Sequence, residues 1–225
     1  MPDAPKIFDP PSHPDGRLDA PAFHRNHEPI WSALAPHLEQ ATGPVLEAGS
    51  GTGQHVVEFA RLSPRLTWWP TDYDPRHLQS IEAWRRHCSL PNIQPARFID
   101  LSAPDWGLSA QDSGALTGLT AIFCANVIHI APWPVTEGLL ADAARRLRPD
   151  GKLFLYGPFK RDGAHTAPSN AAFDQRLRTR NPEWGIRDIA DLMRLADRGG
   201  LSLTSTVPMP ANNMILIFER KKSAS

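Results

Sequence analysis

Three glycines at alternate positions, Gly49, Gly51 and Gly53, follow an apolar run in VLEAGSGTGQH, with Glu47 just before them. A strand that passes at once into a helix leaves the helix's first backbone N–H groups free at the C-terminal edge of a sheet. Glycines in such a turn permit positive φ and let a ligand approach the main chain. Enzymes that seat a pyrophosphate there space their glycines G-x-G-x-x-G. Counted from Gly49, the third position of that spacing is Gln54. A carboxylate at Glu47 also repels a pyrophosphate, whereas it favours a ligand with a cationic amino acid portion.

The segments around the turn set the fold class. From Val45 onward apolar strand-like runs alternate with helix-period stretches, which is the pattern of a parallel sheet with crossover helices. PVLEAG, RLTWWPTD, ARFID, TAIFCANVIHI and KLFLYGPF read as five successive strands. QHVVEFARL, DPRHLQSIEAWRRHC and VTEGLLADAARRLRPDG read as the helices between them, the second capped by Asp74 with Pro75 in its first turn. HEPIWSALAPHLEQA looks helical, with Pro36 casting doubt on its extent. IRDIADLMRLADRGG is a further helix stopped by Gly199 and Gly200, and LSLTSTVPMP with NMILIFER forms a final antiparallel pair. The 225 residues suit one large domain, expected over 22–220, after a proline-rich arm at 1–21 and before a disordered tail at 221–225.

Lysine plus arginine equals aspartate plus glutamate, 24 each, so no overall field exists to hold a polyphosphate, and nucleic acid is not an expected partner. Cys88 and Cys124 lie in apolar segments and read as buried thiols of a reducing compartment. No signal pattern and no bilayer-length apolar run is visible, so a cytoplasmic, non-membrane protein is expected.

Two more acidic residues fall at strand ends. Asp72 closes the second strand and Asp100 the third, so with Glu47 three carboxylates sit at the C-terminal ends of three strands. The E-x-G-x-G-x-G turn resembles the first motif of class I S-adenosylmethionine-dependent methyltransferases. More broadly, RNHEPI, VLEAGSGTGQH, LPNIQP, AIFCANVIHIAPW, LFLYGPFKRDGAHTAPSNAAFD, WGIRD and PMPANN resemble small class I methyltransferases grouped as a domain of unknown function, which includes the methyltransferase-like protein 26 group. The resemblance spans about Arg25 to Phe218. It implies a Rossmann-like α/β fold: a mostly parallel seven-stranded sheet with an antiparallel last strand and helices on both faces. It also implies S-adenosylmethionine as cofactor and names no acceptor.

On that reading Glu47, Gly49, Ser50, Gly51, Gly53 and His55 form the cofactor turn, and Asp72 accepts both ribose hydroxyls. Asp100 takes the adenine amine between Ile99 and Leu101, with Trp106 as a further wall. Asn126 faces the amino acid end, and Arg25 or Asn26, in a segment that folds over the site, meets the methionyl carboxylate. Metal binding is not expected. His129, placed at the pocket lip, is a candidate base or a residue that only bonds the loop; Tyr156 is a catalytic group or strand packing. The stretch after strand five reads as a substrate lid, with Lys160 and Arg161 holding an anionic group and His165 and Asn170 as further substrate contacts, or as a solvated loop. Asn212 and Asn213, in the last turn, orient a polar substrate or merely form the turn. The expected partner is a small-molecule acceptor. A protein-methylating enzyme, a noncatalytic cofactor binder and a nicotinamide enzyme stay open beside it, the last disfavoured by the glycine spacing.

Overall fold

A computed structural model describes residues 10–221. The first nine residues of the expected arm, and all of the expected tail but Lys221, lie outside them. The elements run α1 (Phe23–Leu38), β1 (Gly43–Ala48), α2 (Gln54–Leu62), β2 (Leu66–Asp72), α3 (Pro75–Cys88), β3 (Arg97–Phe98), α4 (Ala110–Ala115), β4 (Leu119–Ala125), α5 (Trp133–Arg146) and β5 (Leu147–Gly157). There follow β6 (Lys160–Arg161), β7 (Ala164–His165), α6 (Pro168–Arg180), α7 (Ile189–Gly199), β8 (Leu201–Met209) and β9 (Asn213–Arg220). Seven strands form one sheet in the order β3-β2-β1-β4-β5-β9-β8, parallel except where β9 meets β5 and β8. The order reverses between β1 and β4, which opens a crevice at their C-terminal ends.

Each sheet face carries its own apolar layer. One joins Leu46, Ile122, Leu155 and Phe218 to α5 and α7; the other joins Val45, Phe123, Phe154 and Ile217 to α1 and α2. Because side chains alternate along a strand, neighbouring strand residues feed opposite layers, and the near-continuous apolar runs follow from burial on both faces.

Several elements differ from the sequence reading. The first helix begins at Phe23 and carries both Pro29 and Pro36. An interior proline costs about 3 kcal/mol or more. Ile30, Leu34 and Leu38 are all buried, at about 1.5–3 kcal/mol each, and Trp31 stacks on Phe59, so packing carries the helix through both. The helix α5 stops at Arg146 rather than at Gly151, because Pro149 cannot extend it; Leu147 already pairs with Leu119, and the ladder is irregular before Lys152. The third strand ends at Phe98, so Asp100 sits in the loop beyond it. The expected lid is not a loop: it holds the β6–β7 hairpin and the helix α6. That helix hides in the sequence because two of its three buried residues, Asn170 and Asp174 beside Leu177, are polar.

The described part of the arm takes its shape from the domain. Leu18 is buried; its N–H donates to Ser80 Oγ at 2.9 Å and its carbonyl accepts from Trp84 Nε1 at 2.9 Å. Among the described residues, no helix is long and apolar enough to cross a membrane, and no three His, Cys, Asp or Glu side chains are placed to hold a metal ion.

Candidate active site

The β1–α2 turn is built by contacts that only glycine tolerates. A Cβ on Gly49 would lie 2.4 Å from Val127 Cγ2, and one on Gly53 would lie 2.9 Å from the Ile81 backbone. Gly51 differs. Its φ is +56°, yet a Cβ there would meet nothing within 4 Å. Two glycines of the motif serve packing and the middle one faces open space, with its main chain bare.

The turn is braced from β2. Ser50 N donates to Thr71 O at 2.7 Å, and Gly51 N donates to Asp72 Oδ2 at 2.8 Å. Asp72 Oδ1 accepts from Asp74 N at 2.9 Å and pairs with His77 Nδ1 at 3.2 Å. Burial opposes the charge on His77, but the Asp72 hydrogen bond and the Asp72 and Asp74 charges raise its pKa overall. The expectation that Asp72 offers both oxygens freely to a ribose is thereby corrected. A carboxylate has roughly four lone-pair sites, and three of them are engaged, one by Gly51 N of the turn and two by Asp74 N and His77 Nδ1 after β2.

Behind the turn Glu47 is 1% exposed, and its Oε2 has no hydrogen-bond partner. Burial pushes its pKa up to about 8; the Ser50 hydrogen bond opposes this and the Asp72 charge adds to it. An orphaned buried oxygen that resists ionising alone suits a cationic ligand, which would restore the charge.

A second cluster joins four elements at the β5–β9 end. His55, in the first turn of α2, is tied through Nε2 to Asn26 Oδ1 of α1 at 2.9 Å. Burial raises the pKa of Tyr156 on β5, and the nearby Asn26, Arg25 and Asn213 side chains oppose the rise. Burial pushes the His55 pKa down to about 3, aided by His27, so the ring is neutral. It must donate Nε2–H to Asn26, because an amide oxygen only accepts. His55 thus clamps α1 down rather than touching the open turn, and its ring stacks on Phe59.

A third group surrounds the left-handed residue Asn126, whose N donates to Tyr156 O at 2.8 Å. His129 is not at a lip. It is fully buried in the turn after β4, with Phe159 edge-on at 5.0 Å. A Cβ on Gly157 would fall 2.4 Å from its Nε2, so the ring is packed on β5. Burial, then the Arg187 cation, lower its pKa to about 3.

The lid residues are spent on one another. Asp174, buried in α6, accepts from Ile186 N at 2.7 Å and pairs with Lys160 at 3.0 Å, Arg178 at 3.2 Å and His165 at 3.3 Å. Lys160, expected to grip an anion, and His165, expected to contact the substrate, are thus engaged by Asp174. Asn170 is buried and donates to Thr166 Oγ1 and Asn212 O, while Asn212 Nδ2 donates to Ser169 Oγ, so both fasten α6 to the β8–β9 turn. The Arg161 guanidinium reaches Met214 Sδ at 3.7 Å and, among the described residues, forms no ion pair. Leu101 and Ile99 are core residues, as is Trp106, whose Nε1 donates to Gly138 O of α5. Asp100 lies in the loop after the edge strand β3, with Oδ1 accepting from Ser102 N and Oγ.

Sequence reading missed Tyr73 and Phe98, an exposed aromatic pair 5.4 Å apart beside Asp72. The signal was an aromatic directly after a strand-ending carboxylate. A groove of about 560 Å³ lies apart from the glycine turn, between Trp133, Lys160, Arg187 and Arg194, with Asp162, Asp188 and Asp191 offsetting the cations.

A family of proteins of unknown function, DUF938, matches residues 17–220. The chain belongs to that family. Among solved structures, NcsB1 from neocarzinostatin biosynthesis, an O-methyltransferase in complex with S-adenosylmethionine and 2-hydroxy-5-methyl naphthoic acid, superposes with TM-score 0.68 at 16% identity, covering 88% of this chain and 54% of that one. An O-methyltransferase family protein from Burkholderia thailandensis gives 0.68 at 14% identity, over 87% and 57%. The mitomycin 7-O-methyltransferase MmcR gives 0.66 at 15% identity, over 80% and 49%. This DUF938 chain therefore has the fold seen in methyltransferase structures, and it spans about half the length of those it matches.

Proposed function

We propose that this DUF938 protein is an S-adenosylmethionine-dependent methyltransferase acting on a small polar or anionic acceptor in the cytoplasm, akin to the methyltransferase-like protein 26 group. The observation that carries the reading is the pairing of an open Gly51 with the orphaned, buried Glu47 carboxyl directly behind it. The cofactor supplies, when bound, an electrophilic methyl group on a cationic sulfur.

The residues present fit that cofactor. Glu47 answers its positive charge, and Gly51 gives main-chain access. Asp72 has one lone-pair site to offer a ribose hydroxyl while it holds the turn. Asp100 has Oδ2 to offer an exocyclic amine, and Tyr73, 64% exposed, gives a face for the base. Asn126 stands at the end of β4, toward the acceptor side.

Proton removal is not the chain's main contribution. Burial raises the Tyr156 pKa, partly offset by Asn26 and Arg25, and His129 is enclosed and weakly basic. Neither lifts a proton readily at neutral pH. Catalysis then rests on alignment and exclusion of water, and the acceptor's proton passes to solvent as its lone pair takes the methyl.

Incubation of the protein with methyl-labelled cofactor and either metabolite extract or whole proteome tests the proposal. Label in small molecules supports it, and label in protein favours a side-chain methyltransferase. Cofactor binding without label in any pool leaves a noncatalytic binder.

A further inference from the structure

The residues before α1 fold into a small hairpin. His13 N donates to Arg17 O at 2.7 Å, Asp19 N donates to Pro11 O at 2.8 Å, and Gly16 N donates to His13 O at 3.0 Å to close the turn. From residue 10 to residue 22 only Pro10 and Leu18 are buried. The hairpin rests on α3, where the Arg17 guanidinium lies 4.6 Å from the centre of the Trp84 ring and Trp84 Nε1 donates to Leu18 O. An element with two buried anchors and an exposed outer face belongs to the low-stability end of a domain, which opens locally while the rest stays folded.

Two hydrogen-bond paths lead from the end of this hairpin to Thr52, the residue after Gly51. In the first, Leu18 N donates to Ser80 Oγ at 2.9 Å and Ser80 Oγ donates to Thr52 O at 2.7 Å. A backbone N–H only donates, so Ser80 accepts from Leu18 and its own proton goes to Thr52. In the second, Ala20 N donates to Gln54 Oε1 at 2.6 Å, and the same oxygen accepts from Thr52 Oγ1 at 3.0 Å. Gln54 Nε2 donates in turn to Asp19 Oδ1 at 2.8 Å. Gln54 stands where the pyrophosphate spacing has its last glycine; here that place carries a side chain that reaches the arm. Ser80 and Gln54 are both buried, so undocking of residues 18–20 leaves their polar atoms short of partners. The helix they brace bears on the turn directly as well, since a Cβ on Gly53 would meet the backbone of Ile81, next to Ser80.

We infer, on the basis of the methyltransferase reading, that residues 18–20 are a strap linked to the cofactor. Ser80 and Gln54 are positioning residues that pass the docking of the strap to Thr52, and so to the bare main chain at Gly51. Such linkage is reciprocal: the factor by which the docked strap raises cofactor affinity is the factor by which cofactor holds the strap down.

The test uses the full chain and its Ser80→Ala and Gln54→Leu variants. S-adenosylmethionine is titrated by calorimetry, and backbone hydrogen exchange at Leu18 and Ala20 is followed by NMR with and without saturating cofactor. Ala190, whose N–H donates to Asp188 at the start of α7, is the control. In the unaltered chain, cofactor should slow exchange at Leu18 and Ala20 roughly threefold to tenfold, the worth of one hydrogen bond, and change Ala190 by less than about twofold. Each variant should bind cofactor more weakly by a similar factor and lose the slowing at the strap. Should a variant fail to fold, the exchange ratio of the unaltered chain decides alone. Cofactor binding with no slowing at Leu18 and Ala20, or with equal slowing at Ala190, overturns the inference and leaves the cofactor site standing. Folded variants that bind as tightly as the unaltered chain overturn it too. Absence of cofactor binding in the unaltered chain sinks the methyltransferase reading itself, and this inference with it.

Discussion

Gly51 N donates to Asp72 Oδ2 at 2.8 Å, so the one open glycine of the β1–α2 turn is held in place by the carboxylate that ends β2. The shape of the turn and the proposed ribose contact therefore depend on the same side chain.

Replacing that side chain separates the two roles. Asp72→Ala removes the acceptor for Gly51, Asp74 and His77 together. Cofactor binding is expected to weaken by about 1–3 kcal/mol, with a lower melting temperature. Calorimetry and thermal denaturation read both effects. A drop in melting temperature with unchanged affinity would reduce Asp72 to a brace.

Glu47 links binding to pH. With its pKa at about 8, it is mostly protonated in the ligand-free protein at neutrality. A cationic ligand prefers the carboxylate, so affinity should rise as pH climbs toward about 8 and level off above it. Stability runs the other way: the folded state holds a proton that the unfolded state releases near 4.5, so stability falls as pH rises from there to about 8. Glu47→Gln should flatten both slopes and weaken cofactor binding. Calorimetry and melting curves between pH 5 and 9 check this; two unchanged slopes would refute it.

Two histidines act on the acid side, His129 buried and His55 half-buried. His55 and His129 stay neutral when folded, with pKa values lowered to about 3, and take up protons near 6.5 when unfolded. The stability they contribute is present above about 6.5 and is lost as pH falls toward 3. His55→Gln should lower the proton uptake on unfolding at pH 5 by about one. Denaturant titrations at several pH values measure that slope, and an unaltered slope would contradict the neutral assignment.

Asp174 holds the hairpin, α6 and the segment at Ile186 together. Asp174→Ala leaves Lys160 and Arg178 facing each other without a counter-charge. A loss of about 3–5 kcal/mol is expected, the usual effect of breaking one partner from a buried pair. Urea unfolding measures it; a loss below about 1 kcal/mol, the range of surface pairs, would place this latch among ordinary surface contacts.

Much of the fold was legible because single residues dictate it. Asp74 and Pro75 begin α3 as their chemistry requires, and apolar runs buried on both faces mark the inner strands. Gly49 and Gly53 mark the turn, but sequence cannot tell a glycine that accommodates Val127 or Ile81 from one that faces a ligand. Depth was equally hidden. His129 follows β4 as expected, yet Gly157, on the neighbouring strand, is what draws it inward. Lys160 looked free because Asp174 lies 14 positions later, and α6 brings them together despite a buried face too polar to announce a helix.

The most direct test of the central claim is calorimetric titration of S-adenosylmethionine into the unaltered protein and into Gly51→Ala. A Cβ at Gly51 meets nothing within 4 Å in the ligand-free fold. The left-handed backbone there should cost the variant only about 1–2 kcal/mol and a few degrees of melting temperature. The expected result is saturable one-site binding to the unaltered chain and its loss in a folded Gly51→Ala. Equal binding by both proteins, or none by the unaltered chain, would contradict the placement of the cofactor on this turn.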